Sequence, residues 1–120
     1  LAEHDGKWLH DYALFRILKA RFDERPWPEW PAEYRHRGGD ALRQLERSAG
    51  LEIERIKIVQ CLFHYQWQRQ RDYAREKSVC LFGDMPIYIA RDSADAWASR
   101  GMLQLDEEGR PRHVAGVPPA

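Results

Sequence analysis

Val79-Cys80-Leu81-Phe82-Gly83-Asp84-Met85-Pro86-Ile87-Tyr88-Ile89-Ala90 changes the period of the chain. Before it the apolar residues recur at helical spacing. Within it, Val79 to Phe82 are continuously apolar, and Ile87 to Ala90 repeat the pattern after a Gly-Asp-Met-Pro break. A short apolar run bounded by turn residues predicts a strand buried on both faces, as in parallel sheets. Asp84 stands at the carboxyl end of that strand, between Gly83 and Met85-Pro86. In α/β folds such positions face the ligand side of the sheet. A carboxylate is costly to bury there unless it is hydrogen-bonded, so Asp84 is the candidate site residue. The competing reading is a carboxylate that caps nearby backbone N–H groups.

Working upstream, residues from Ala41 to about Lys77 read as helix, with an interruption expected at Gly50. Ile56, Val59, Phe63, Trp67 and Ala74 form one stripe, and Ile58, Leu62, Tyr65 and Tyr73 an adjacent one. So broad an apolar face should be covered on more than one side. Asp40 is expected as N-cap after the Gly38-Gly39 break. Arg69, Arg71, Arg75 and Lys77 gather at the helix end, where the dipole favours cations and a solvated face is expected. Further upstream, Trp8, Tyr12, Phe15, Leu18 and Phe22 predict an amphipathic helix opened by Asp5-Gly6 and ended before Pro26. Arg25 to Pro31 alternates Pro with bulky residues, which predicts an extended connection. Trp27 and Trp30 there are open to ligand or interface contact. Downstream, Asp92-Ser93-Ala94-Asp95 predicts a helix start. Asp106-Glu107-Glu108-Gly109 predicts the turn of a small hairpin between Leu103-Gln104-Leu105 and Arg112-His113-Val114.

Composition narrows the function classes. With 120 residues the chain allows one ordinary domain and is too short for a complete (β/α)₈ barrel of about 250 residues. Nineteen basic residues balance nineteen acidic ones, which argues against a nucleic-acid partner held by bulk charge. No apolar run approaches the roughly 18 residues of a membrane span, so no membrane partner is expected. Leu1 to Lys7 carries neither a basic region nor an apolar one, so no signal peptide is visible, and there is no initiator Met. Cys61 and Cys80 are isolated and flanked by apolar residues. They are expected as buried reduced thiols, in keeping with a cytoplasmic location. Cys61 and His64 at i and i+3 lack a second ligand pair, so no metal site is expected. His4 and His10 are expected at the surface. No nucleophile elbow, P-loop or dinucleotide fingerprint is present.

Phe82 to Ala90, followed by Asp92-Ser93-Ala94-Asp95-Ala96-Trp97, resembles a signature of the 4-α-glucanotransferases. These are the amylomaltases, or disproportionating enzymes, of glycoside hydrolase family 77. Gln104 to Pro111 and Val114-Ala115-Gly116-Val117-Pro118-Pro119 continue the resemblance in order, and Trp8 with Asp11 to Phe15 matches the family's aromatic helix start. The resemblance implies an enzyme that cuts an α-1,4 glucan and passes the piece to another glucan's 4-hydroxyl by a retaining double displacement, without an organic cofactor. Its fold would be α/β: a part of a (β/α)₈ barrel, mostly helical in this chain, with one barrel strand and a small hairpin. On that reading residues 1–77 are mainly helical, 78–90 are a barrel strand and its following loop, and 91–120 hold a short helix, a hairpin and the start of an insertion. Asp84 matches a family aspartate beside the donor sugar, and only a substrate-binding role carries over. The family's nucleophile context, Arg-x-Asp-His, does not occur here, and the acid/base Glu and stabilising Asp belong to segments that are absent. No catalytic residue is therefore expected in this chain, which reads as an internal fragment. The alternative is a non-enzymatic helical binding or self-assembly module that hides its apolar faces by self-association.

Overall fold

The computed structural model describes residues 6–113 and Gly116. Helix α1 (Gly6–Arg21) is followed by a 3₁₀ turn at Trp27–Glu29 and by short α2 (Ala32–Arg35). Then come α3 (Gly39–Ser48), the long α4 (Gly50–Glu76), α5 (Ala94–Ala98) and a second 3₁₀ turn at Arg100–Met102. The Asp5 start of α1 lies outside the described residues. Its end before Pro26 is as expected: after Arg21 the chain turns through Asp23 and Glu24, both at positive φ (52° and 58°).

The core is built on α1. Ala13, Leu14, Phe15, Ile17 and Leu18 pack with Leu45, Ala49 and Ile53 from α3 and α4, and with Ala96 and Trp97 from α5. Trp27 and Trp30 complete it. Phe15 meets the Trp30 ring at 5.4 Å and the Trp97 ring at 6.1 Å, and Trp30 stands edge-on to Trp97 at 5.8 Å. Each buried indole N–H finds a carbonyl: Trp27 donates to Arg91 (2.7 Å), Trp30 to Arg25 (3.0 Å) and Trp97 to Tyr34 (2.9 Å). These two tryptophans of the Pro-rich segment therefore pack inward and are not ligand contacts. That segment is a 3₁₀ turn flanked by extended prolines and not a wholly extended connection.

The helix expected from Ala41 is two helices, broken at Ala49 (φ −122°, ψ 24°), next to the anticipated Gly50. Asp40 does not cap. Gly38 precedes the helix without a side-chain bond, and Asp40 lies in the first turn paired with Arg43. His10 is half-buried and bonds Glu46 of α3 at 2.7 Å, so it is more than a surface residue.

Helix α4 is largely uncovered, as a broad apolar face in part of a barrel implies. Its 27 residues span about 40 Å and the 16 of α1 about 24 Å, so α1 cannot cover it. Ile53 and Ala74 are buried, while Ile58, Val59, Leu62, Phe63, Tyr65, Trp67 and Tyr73 are exposed. The expected strand is not formed. Residues 79–90 join no ladder, and Val79, Leu81, Phe82, Ile87, Tyr88 and Ile89 are exposed, Phe82 fully so at 102%. A parallel strand needs neighbours, and among the described residues none lies beside it. Cys61 and Cys80 are exposed free thiols, not buried ones, because they sit on these uncovered faces. The only strand-type pairing among the described residues is one antiparallel bridge, Leu105 to Pro111, which closes the expected hairpin turn in minimal form.

The whole is correspondingly open. The radius of gyration is 17.6 Å, against about 13.6 Å for a compact domain of this length. The accessible surface is 9597 Å², where a folded monomer of this mass exposes about 6,800 Å². No described helix is long and apolar enough to cross a membrane.

Candidate functional site

The segment carrying Asp84 is held at its two ends. At the first, α4 closes with Ser78 in the left-handed region (φ 55°). The Ser78 amide donates to Arg75 O (3.0 Å) and the Val79 amide to Ala74 O (2.8 Å), the pattern by which helices end when one residue turns left-handed. At the second, Asp92 is gripped from two sides. One carboxylate oxygen accepts from Lys19 Nζ (2.7 Å) and the other from the Trp27 backbone amide (3.1 Å). The next residue, Ser93, caps α5 by accepting from the Ala96 amide (3.2 Å). Asp95 lies in the first turn of α5, as its sequence position implied. Asp92 does not serve as a helix-start residue; it ties the segment to α1.

Between these anchors Asp84 is exposed. The run after it, Ile87 to Arg91, forms one wall of an open cleft of about 430 Å³, with Leu103, Leu105 and Pro111 of the hairpin opposite. The cleft is chiefly apolar and Asp84 is not among its walls. Tyr88, Arg91, Gln104 and His113 are its polar members, the last two bonded to each other at 2.9 Å. No group of three His, Cys, Asp or Glu side chains among the described residues is placed to hold a metal. Retaining glycosidic chemistry uses two carboxylates about 5–5.5 Å apart. Here the next acid along the chain from Asp84, Asp92, is already neutralised by Lys19.

The hairpin is fastened to the same core. Arg100 reaches the carbonyls of Glu107 (2.8 Å) and Arg35 (3.3 Å) and lies over the Trp27 ring at 5.2 Å. Asp106 accepts from the Arg110 amide (2.7 Å) and from its Nε (2.9 Å). These bonds hold the Asp106 carboxyl below the usual carboxylate range and raise Arg110. Gly109, at φ 78°, rests on the Trp27 ring.

Sequence reasoning missed Lys19. The available signal was its register: Asp11, Phe15 and Lys19 are four apart and share one face of α1. Both charged members are buried. Asp11 pairs with Arg37 at 2.5 Å, and Arg37 in turn lies over Trp97 at 4.4 Å. An ionisable group on an apolar stripe asks for a partner from elsewhere in the chain.

The described residues thus form a helical scaffold with more apolar surface than it covers, presenting one acidic, unpaired segment. Comparison with known proteins places that scaffold. Residues 2–120 match the domain of glycoside hydrolase family 77, described as 4-alpha-glucanotransferase. A 4-alpha-glucanotransferase of Thermus thermophilus is 43% identical over 98% of this chain. A chloroplastic/amyloplastic 4-alpha-glucanotransferase of rice, Oryza sativa subsp. japonica, is 42% identical over 93%. The solved amylomaltase of Streptococcus agalactiae in complex with acarbose superposes with a TM-score of 0.89 over 95% of this chain, at 31% identity. The chain spans 23%, 19% and 23% of these proteins' lengths, respectively. It belongs to glycoside hydrolase family 77.

Proposed function

We propose that the chain is a segment of the catalytic domain of a 4-α-glucanotransferase, acting on α-1,4-glucans such as maltodextrins by retaining double displacement. In this reading residues 79–82 take their place as a strand of a (β/α)₈ barrel once neighbouring strands flank them, and α4 is covered by the rest of that barrel. The nucleophile and the acid/base come from elsewhere in the whole protein. Asp84 binds substrate, its carboxylate accepting from sugar hydroxyls or orienting the reacting groups. The observation that carries the reading is the pairing of an acidic apolar segment, unsheeted and exposed, with a fold that superposes on an amylomaltase bound to acarbose. Two free thiols fit a reducing compartment, the cytoplasm.

The test is maltotriose disproportionation by the full-length protein that carries this segment. Glucose and longer maltodextrins are the expected products. Asp84→Asn should cost about 1.5–3 kcal/mol of transition-state binding, roughly 10- to 150-fold in kcat/KM, the usual worth of a hydrogen bond to a charged group. A full-length protein that leaves maltotriose unchanged overturns the function. An Asp84→Asn variant with wild-type kcat/KM overturns the role of Asp84. The 120-residue polypeptide alone should form no products.

A further inference from the structure

Lys19 is one of the few charged residues the fold buries, with 7% of its surface exposed. Lysine is seldom buried unless paired. An ammonium has three N–H donors, and here all three are used: Asp92 Oδ2 at 2.7 Å, Glu24 O at 2.6 Å and Arg25 O at 3.1 Å. Each acceptor belongs to a different task. Glu24 is the second of two consecutive left-handed residues in the turn that leaves α1, a conformation costing about 1–2 kcal/mol per non-glycine residue. The Arg25 carbonyl also accepts from the Trp30 indole. Asp92 ends the segment that carries Asp84, and its other oxygen holds the Trp27 amide. One buried cation therefore joins α1, the turn, the tryptophan core and the downstream end of the candidate site.

We propose that Lys19 and Asp92 form a clasp that positions the Asp84 segment for the transfer reaction. Neither is a catalytic residue; both act through the backbone between Asp84 and Asp92. The inference rests on the glucanotransferase reading above. Asp84 lies eight residues before Asp92, and no hydrogen-bonded ladder holds the intervening backbone among the described residues. The downstream anchor thus sets where that backbone, and with it the carboxylate, can sit. A displacement near 1 Å at a reacting centre lowers turnover by about 100-fold.

Lys19→Met keeps the apolar stem and removes all three donors. Asp92→Asn keeps the side-chain volume and an acceptor for the Trp27 amide, and serves if the first variant does not fold. In the full-length protein, each should lower kcat for maltotriose disproportionation by about 10- to 100-fold and leave KM nearly unchanged. The double variant should be no worse than Lys19→Met alone, because that variant already breaks the contact Asp92→Asn breaks. Leu45→Ala, a core variant away from the clasp, sets the scale for mere destabilisation and should keep kcat within about twofold while lowering Tm. A folded Lys19→Met with wild-type kcat overturns the proposal, as does additive loss in the double variant or an equal kcat loss in Leu45→Ala. Hydrogen exchange reads the clasp without catalysis: the Trp27 amide, which donates to Asp92, should exchange at least tenfold faster in both single variants. Unchanged exchange overturns the clasp even if the protein acts on another substrate. Faster exchange in a protein that ignores maltotriose supports the clasp and removes the glucanotransferase reading instead.

Discussion

Gly109→Ala should break the link between the hairpin and the tryptophan core, and the reasons separate cleanly. A Cβ built at Gly109 would lie 2.2 Å from Trp27 Cη2, 2.6 Å from Cζ3 and 3.0 Å from Cζ2. Trp27 is fully buried and its indole N–H is committed to Arg91 O, so the ring cannot swing aside without losing that bond. Overpacking of this kind costs about 1–3 kcal/mol. The left-handed φ of 78° adds about 1–2 kcal/mol for any residue with a Cβ. The sum is roughly 2–5 kcal/mol, which for a unit of this size lowers Tm by about 8–20 °C at near 4 °C per kcal/mol. Thermal unfolding followed by near-ultraviolet circular dichroism, which reads the packed indoles, measures it. Trp27→Phe removes the three ring atoms that clash and leaves the backbone strain. In that background Gly109→Ala should cost only about 1–2 kcal/mol. Equal losses in both backgrounds would refute the steric part of this account. A Tm unchanged by Gly109→Ala would refute the whole of it.

Two further outcomes follow from the same packing. Because the Asp106 carboxyl is held below its ordinary value by its bonds to Arg110, its contribution is present above the ordinary aspartate range and is lost as pH falls through the lowered folded value. A carboxyl ¹³C titration should place its midpoint below that of a free aspartate, and the shift should shrink but persist in Arg110→Ala, which removes the Nε bond and the charge and keeps the backbone amide donor. The 120-residue polypeptide exposes about 2,800 Å² more than a closed monomer of its mass. It should therefore bind an apolar dye and sediment as a concentration-dependent oligomer, and a dye-silent compact monomer would contradict the uncovered faces.

What the residues disclosed by themselves was local. Pro26 forbids a longer α1, the Ser93 hydroxyl caps α5, and the 106–109 turn needs its glycine at positive φ. Each is decided within four or five positions, by sterics or by one hydrogen bond. The Asp84 motif was legible as a pattern too, and that pattern identified the family. What stayed hidden depends on partners. Val79 to Phe82 has the composition of a buried strand, yet composition cannot create the neighbours that make a ladder. The same applies to the thiols of Cys61 and Cys80 and to the outer face of α4. Lys19 was hidden for the opposite reason. Its register on α1 signals burial, but its partner Asp92 is 73 residues away and nothing local names it.

The two kinds of exposed surface have different chemistry, and the difference bears on function. On α4 the exposed apolar groups follow helical spacing, Ile58 to Leu62 to Tyr65 and Val59 to Phe63 to Trp67. These are continuous stripes, half aliphatic and half aromatic, suited to packing against another element. Along 79–89 the exposed run is aliphatic and aromatic on both sides of a single acid. On α4 two of the exposed aromatics lie under cations, Tyr65 under Arg69 and Tyr73 under Lys77, whereas Asp84 is the one charged group between residues 79 and 89. Burial of these faces against further protein would leave that carboxylate as the one charged group of residues 79–89, at the edge of an apolar layer. There desolvation strengthens every hydrogen bond it accepts. On the proposed reading the acid acquires its effect from the packing around it, and the Lys19–Asp92 contact at the end of its segment should then weigh on turnover of the whole protein far more than its distance along the chain suggests.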